Sequence, residues 1–188
     1  MSDTYRIDSE SGLVQEARQC PSPNCDDRPD DATPRLLVIH SISLPPGRFG
    51  GPEIEQLFTN RLDWDAHPYF GEIRGLEVSS HLLIRRDGEL LQFVPLTRRA
   101  WHAGESTFRG VNCCNDYSIG IELEGEDDTP YSDRQYEVLT GISRAILSAY
   151  PAISGREIAA HSDIAPRRKT DPGPAFDWLR LYDGLGTS

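Results

Sequence analysis

Nowhere does the 188-residue chain approach the ~18 consecutive apolar residues that a membrane-spanning helix needs. The opening MSDTYRIDSESG also lacks the basic start and apolar stretch of an export signal. Both absences predict a cytoplasmic protein with no membrane partner. Positive charge is in deficit: 19 Lys and Arg stand against 30 Asp and Glu, a formal net charge of −11. Binding to phosphate backbones needs a basic surface, so nucleic acid is excluded as a general partner. Cysteine is sparse, and Cys20, Cys25, Cys113 and Cys114 form neither a CxxC pair nor a zinc-finger spacing. Reduced thiols are expected in the cytosol. The chain has no dinucleotide fingerprint, phosphate loop, heptad pattern or internal repeat, which leaves nucleotide chemistry without support.

What is present suits one domain with a real core. The Asp-, Ser-, Pro- and Arg-rich residues 1–34 read as an arm packed on the domain, 35–178 as the catalytic unit and 179–188 as a tail. The apolar run Arg35 to His40 predicts a strand buried on both faces. Ser41 to Gly51 is a Pro- and Gly-constrained loop. Pro52 then opens a helix to about Leu62 that buries Ile54, Leu57 and Phe58. Asp63 to Gly75 reads as surface loop, with His67-Pro68 a turn. Asp87-Gly88 predicts a hairpin between Val78–Arg86 and Glu89–Val94, with His81 a sheet-face histidine. Arg98 to Gly104 has no periodicity and suits a cleft lining. Tyr117 to Leu123 is a further strand. Ser132 with Gln135 forms a capping box that starts a long helix closed by Pro151, its buried stripe Tyr136, Leu139, Ile142 and Ile146. Glu157 to Ala160 is the last strand, and Phe176 to Tyr182 a terminal helical turn or two. The fold class is α/β, a single-domain mixed sheet flanked by α-helices.

The chemistry concentrates in EIAAHSDIAPRRKTDPGPAFDW, residues 157–178, which holds His161, Lys169 and Asp171 among three prolines. His40, at the end of the first core strand, is the chain-distant partner. Two histidines at strand ends and an aspartate from a rigid loop make a three-ligand zinc site with one open position, the arrangement that hydrolysis needs. Such a site also wants a carboxylate to move a proton, and Glu122 and Glu124 share one face of their strand beside Gly120. Either carboxylate fits that role, and both also fit solvated edge-strand charges. Lys169 is placed to meet an oxyanion, and Arg167, Arg168 and Lys169 together form the basic cluster an anionic ligand would need.

The blocks VIHSISLPPG, LIRRDGE, RAWHAG, CNDYSIGIELEG and HSDIAPRRKTDPGPAFDW, in order, resemble the AmpD-type 1,6-anhydro-N-acetylmuramyl-L-alanine amidases. These lie within the zinc amidase family that includes phage lysozyme amidases and peptidoglycan recognition proteins. The resemblance implies that fold, with the zinc site at strand ends, one Zn²⁺ per chain on His40, His161 and Asp171, Glu122 rather than Glu124 as the catalytic carboxylate, and Lys169 at the transition state. Ser41, Trp101, His102 and Arg168 are the expected substrate contacts. It further implies hydrolysis of the lactyl amide between anhydromuramic acid and L-Ala in a soluble anhydromuropeptide by a monomer. That is a cytoplasmic recycling step which also lowers the inducer of inducible β-lactamase. Ser41 stands where the family commonly has Asn, and Cys113 where it commonly has a basic residue. A muropeptide-holding protein without catalysis and an amidase of the intact wall are the competing readings.

Overall fold

The structure, a computed structural model, describes residues 5–29 and 32–186. The remainder of the expected arm, 1–4 and 30–31, and the last two positions of the expected tail, 187–188, lie outside the described residues. In chain order the strands are β1 (Arg18–Gln19), β2 (Cys25–Asp26), β3 (Leu36–Ile42), β4 (Leu82–Ile84), β5 (Leu90–Gln92), β6 (Arg99–Ala100), β7 (Thr107–Phe108), β8 (Val111–Asn112), β9 (Ser118–Glu124) and β10 (Ile158–Ala160). The helices are α1 (Glu53–Phe58), α2 (Pro68–Glu72), α3 (Asp133–Ala149), α4 (His161–Ile164) and α5 (Trp178–Leu185).

Six strands form one mixed sheet in the order β1-β5-β4-β9-β3-β10. The pairings of β4 with β9, β9 with β3 and β3 with the edge strand β10 are parallel, and β4 with β5 is the antiparallel hairpin. Gly88 turns that hairpin at φ +90°, where a Cβ is strained, and its N–H donates to Arg85 O. Alternation along β9 sends Ile119, Ile121 and Leu123 to one face. There α3 brings Leu139, Ile142 and Ile146, and α5 brings Leu181, into the main core. The capping box of Ser132 and Gln135 is formed, and Tyr150 ends α3 before Pro151.

The opposite face is covered unevenly. Over β4 and β5, Ile54, Leu57 and Phe58 of α1 pack with Leu83, Leu91 and Phe93. Over β3 and β10, Leu36, Val38 and Ala159 pack with Ala103, Cys114 and Ile164. Between these two clusters the polar residues of β3 and β9 face a cleft, and the site lies there.

Several expectations are corrected. Helix α1 stops at Phe58 rather than near Leu62, because Asn60 takes a left-handed φ of 57°. Its carboxamide exchanges two hydrogen bonds with Asn24 of the N-terminal segment, 2.8 and 2.9 Å. Residues 63–75 are not all loop: His67 caps α2 by accepting from Tyr69 N, with Pro68 in its first turn. Strand β4 is shorter than expected, and Ser79 and Ser80 precede it. The boundary expected at 178 falls at the start of α5, whose Leu181 is fully buried in the core. The N-terminal segment adds β1 to the sheet edge and pairs β2 with β6.

Candidate functional site

Parallel pairing puts His40 of β3 opposite Glu122 of β9, and the next strand, β10, runs directly into His161, the first residue of α4. A helical turn that the sequence pattern did not indicate therefore follows the last strand directly. Asp171 returns from the loop after α4: Ser162 N donates to Asp171 O at 3.0 Å and Tyr131 OH to Pro172 O at 2.8 Å. Tyr131 carried no signal in the sequence, yet it ties this loop to the start of α3.

His40 Nδ1, His161 Nδ1 and Asp171 Oδ2 converge, separated by 2.9, 3.1 and 3.4 Å. Hydrogen positions follow from the partners. Ser118 Oγ donates to Cys114 O at 2.6 Å, so it accepts from His102 Nε2–H at 3.0 Å. His102 Nδ1 is then a bare acceptor and takes the Nε2–H of His40 at 2.8 Å. His161 Nε2–H donates to Ala103 O at 3.2 Å. Both ligand histidines thus turn a lone pair toward the carboxylate, and three acceptors facing one another without a proton between them call for a cation. Zinc bonds of about 2.0–2.1 Å set tetrahedral ligand atoms about 3.3 Å apart. The three observed separations are close to that spacing, and His161 and Asp171 line the cleft. The donor set fits a divalent metal.

Burial pushes the His40 imidazolium pKa down to about 4, against the pull of Asp171. The ring is therefore neutral at physiological pH, with a lone pair free for a metal. Glu122 is also buried; desolvation first, and the Asp171 charge second, push its carboxyl well above the ordinary range, with Lys169 opposing. Its Oε2 has no hydrogen-bond partner, and Oε1 lies 4.0 Å from His40 Nδ1. Desolvated and unpartnered, this carboxylate is primed to take a proton.

Glu124 differs. Neither carboxylate is a solvated edge charge, because β9 is central, but Glu124 is only 1% exposed and saturated. It accepts from Gly50 N at 2.6 Å, Arg86 N at 3.1 Å and Arg85 NH1 at 3.3 Å. It belongs to a charge network with Arg85, Glu55 and Arg18 that pins the loop before α1.

The cleft holds about 890 Å³ and is bordered by Ser41, Trp101, Glu122, Lys169 and Asp171. Of the expected substrate contacts, Ser41 also gives its N–H to Asp171 Oδ2 at 3.4 Å, and Trp101 Nε1 donates to Asp26. Arg168 borders the cleft too, but its NH2 donates to Ala103 O and Glu105 O, so the guanidinium braces a loop. Both ring nitrogens of His102 are engaged within the protein, which leaves neither for a ligand. Glu77, Glu126, Asp127 and Asp128 also line the cleft and give it an acidic share, a feature the sequence pattern did not reveal. The four cysteines are free thiols.

Residues 30–174 match the family described as N-acetylmuramoyl-L-alanine amidase. The 1,6-anhydro-N-acetylmuramyl-L-alanine amidase AmpD of Enterobacter cloacae is 58% identical over 179 residues, 95% of each chain. A crystal structure of a selenomethionine AmpD derivative superposes with a TM-score of 0.93 at 54% identity, covering 96% of this chain and 99% of that one. The amidase AmiD of Escherichia coli, solved with the substrate anhydro-N-acetylmuramic acid-L-Ala-D-γ-Glu-L-Lys, superposes with a TM-score of 0.59 at 32% identity, covering 82% of this chain and 59% of that one.

Proposed function

We propose, from the premise that the chain belongs to the N-acetylmuramoyl-L-alanine amidase family, that it hydrolyses the lactyl amide joining 1,6-anhydro-N-acetylmuramic acid to L-Ala in soluble muropeptides. His40, His161 and Asp171 hold one Zn²⁺. When bound, zinc supplies Lewis acidity that brings the pKa of a water from about 15.7 toward about 7 and polarises the scissile carbonyl. Glu122 takes the proton from that water and returns it to the departing amine of L-Ala, so the C–N bond breaks without releasing an amide anion. Lys169, near enough for its charge to act on Glu122, donates to the carbonyl oxygen as negative charge grows there. The walls around Ser41 and Trp101 orient the muramyl end.

The observation that carries this reading is the buried, unpartnered carboxyl of Glu122 beside three converging metal-type donors in one cleft. A monomer is the proposed working unit. Among the described residues no helix is long and apolar enough to cross a membrane. The proposed setting is recycling of wall fragments in the cytoplasm, where the same hydrolysis lowers the muropeptide that induces β-lactamase.

The test is incubation of the zinc-loaded protein with an anhydromuropeptide and, separately, with intact sacculi, with products followed by mass spectrometry. Release of the stem peptide from the soluble fragment, abolished by chelator, is expected. Chelator-insensitive cleavage sinks the metal mechanism, and faster cleavage of sacculi moves the substrate to the wall.

A further inference from the structure

Behind the metal-facing donors, one dipeptide touches both histidines. His102 Nδ1 accepts the Nε2–H of His40 at 2.8 Å, and Ala103 O accepts the Nε2–H of His161 at 3.2 Å. These two hydrogen bonds decide which nitrogen of each ring is free for a cation, because a neutral imidazole that donates at Nε2 is a lone-pair donor at Nδ1. The dipeptide itself lies in a segment without helix or strand, so its position must come from elsewhere. The Asn115 carboxamide holds both residues at once, its Oδ1 accepting from His102 N at 3.1 Å and Ala103 N at 2.8 Å, while Arg168 NH2 donates to Ala103 O alone and Ser118 Oγ accepts from His102 Nε2–H alone. Asn115 is held in turn by its position in the short helical turn Cys114–Asp116, whose carbonyls at Asn115 and Asp116 accept from the buried guanidinium of Arg28. Gly120 completes the fit, since a Cβ there would lie 2.6 Å from His102 Nδ1.

We propose that Asn115 is a positioning residue for the metal site, acting through the His102–Ala103 backbone to fix the tautomer and direction of His40 and His161 together. Two ligands that would otherwise be set independently share one support, and losing the support disturbs both. Asn115 also borders the cleft, so its Nδ2 end offers a rival role, direct contact with substrate. The two roles use different atoms of the same side chain and are separable. Asn115→Asp keeps the acceptor oxygen and loses the amine. Asn115→Leu keeps the size and loses both.

The inference rests on the reading of His40, His161 and Asp171 as zinc ligands, and the experiment separates the two. Zinc affinity is measured by chelator competition for the parent, Asn115→Leu, Asn115→Asp and His102→Phe, each checked for folding by circular dichroism in the metal-free form. Outer hydrogen-bond partners of ligating histidines are worth about 10- to 100-fold in metal affinity. Asn115→Leu and His102→Phe are expected to lose affinity in that range. Asn115→Asp is expected to stay within about threefold of the parent, and KM at saturating zinc to stay within about twofold for Asn115→Leu. If Asn115→Leu does not fold, full affinity in His102→Phe overturns the proposal. Parent-like affinity in folded Asn115→Leu overturns it, as does equal loss in Asn115→Asp and Asn115→Leu. A raised KM in both with zinc held normally assigns Asn115 to substrate instead. A parent that binds no zinc overturns the ligand reading itself.

Discussion

His40 and Glu122 are direct partners in the parallel ladder of β3 and β9, their Nδ1 and Oε1 atoms 4.0 Å apart. One side chain offers a lone pair to a metal and the other an unpartnered carboxyl to a proton. The sheet, rather than any loop, fixes the distance between the two functions. A carboxylate held this way needs no hydrogen bond of its own to stay aimed.

Replacing Glu122 with Gln keeps the shape and removes the base. The variant is expected to bind zinc like the parent and to lose about 10²- to 10⁴-fold in kcat on an anhydromuropeptide. Zinc content by elemental analysis beside steady-state kinetics checks both halves, and an active variant moves the base elsewhere.

Asp171→Ala removes the only anionic donor of the three and should abolish stoichiometric zinc retention. For the parent, zinc at 100 times its Kd should stabilise the fold by about 2.7 kcal/mol, and chelator should reverse the rise in Tm. The Asp171→Ala variant should show no zinc-dependent rise.

Lys169→Ala is expected to lower kcat by about 10²- to 10³-fold with zinc affinity unchanged, the usual consequence of deleting a donor aimed at a developing oxyanion. An effect confined to KM would make Lys169 a substrate anchor.

Glu124→Ala tests the other carboxylate. The change leaves the N–H groups of Gly50 and Arg86 without their acceptor, while Arg85 keeps Glu55 and Gly51 O as partners. A loss of about 1–3 kcal/mol in urea unfolding is expected. Residual folded enzyme should keep more turnover than Glu122→Gln.

His81 predicts an acid limit. Its Nδ1 accepts from Gly120 N at 3.0 Å and its Nε2–H donates to Arg98 O at 3.0 Å, so only the neutral ring fits. Burial and then the nearby Arg28 hold its pKa down to about 3. The unfolded chain takes the proton below about pH 6.5 and the folded chain does not. Stability should be unaffected by this ring above that pH. It should then fall by about 1.4 kcal/mol per unit as pH drops, levelling near pH 3. Urea unfolding of the parent and His81→Asn across that window checks it: the variant's slope should be shallower by one proton.

The sequence carried His40 because an apolar run ended in an imidazole, and it carried α3 because cap, stripe and stop agreed. It could not choose between Glu122 and Glu124 from residues alone, since alternation places them on one face. Only the neighbours decide: Arg85, just past the end of β4, reaches Glu124, while Glu122 meets the cleft. His102 and Asn115 belong to segments without periodicity, so composition could suggest a cleft but not that they stand behind the ligands. His67-Pro68 suits a turn and a helix start equally, so the two residues alone do not choose between them.

The parallel ladder that pairs His40 with Glu122 also divides what can vary from what cannot. A one-residue slip of β9 would carry Glu122 to the side of α3 and end the chemistry at once. The segments Ser43 to Gly51 and Asp63 to Val78 border the same cleft from outside that register. Descendants of this chain can therefore drift toward new wall fragments by changing those borders, inheriting reactivity intact with the sheet.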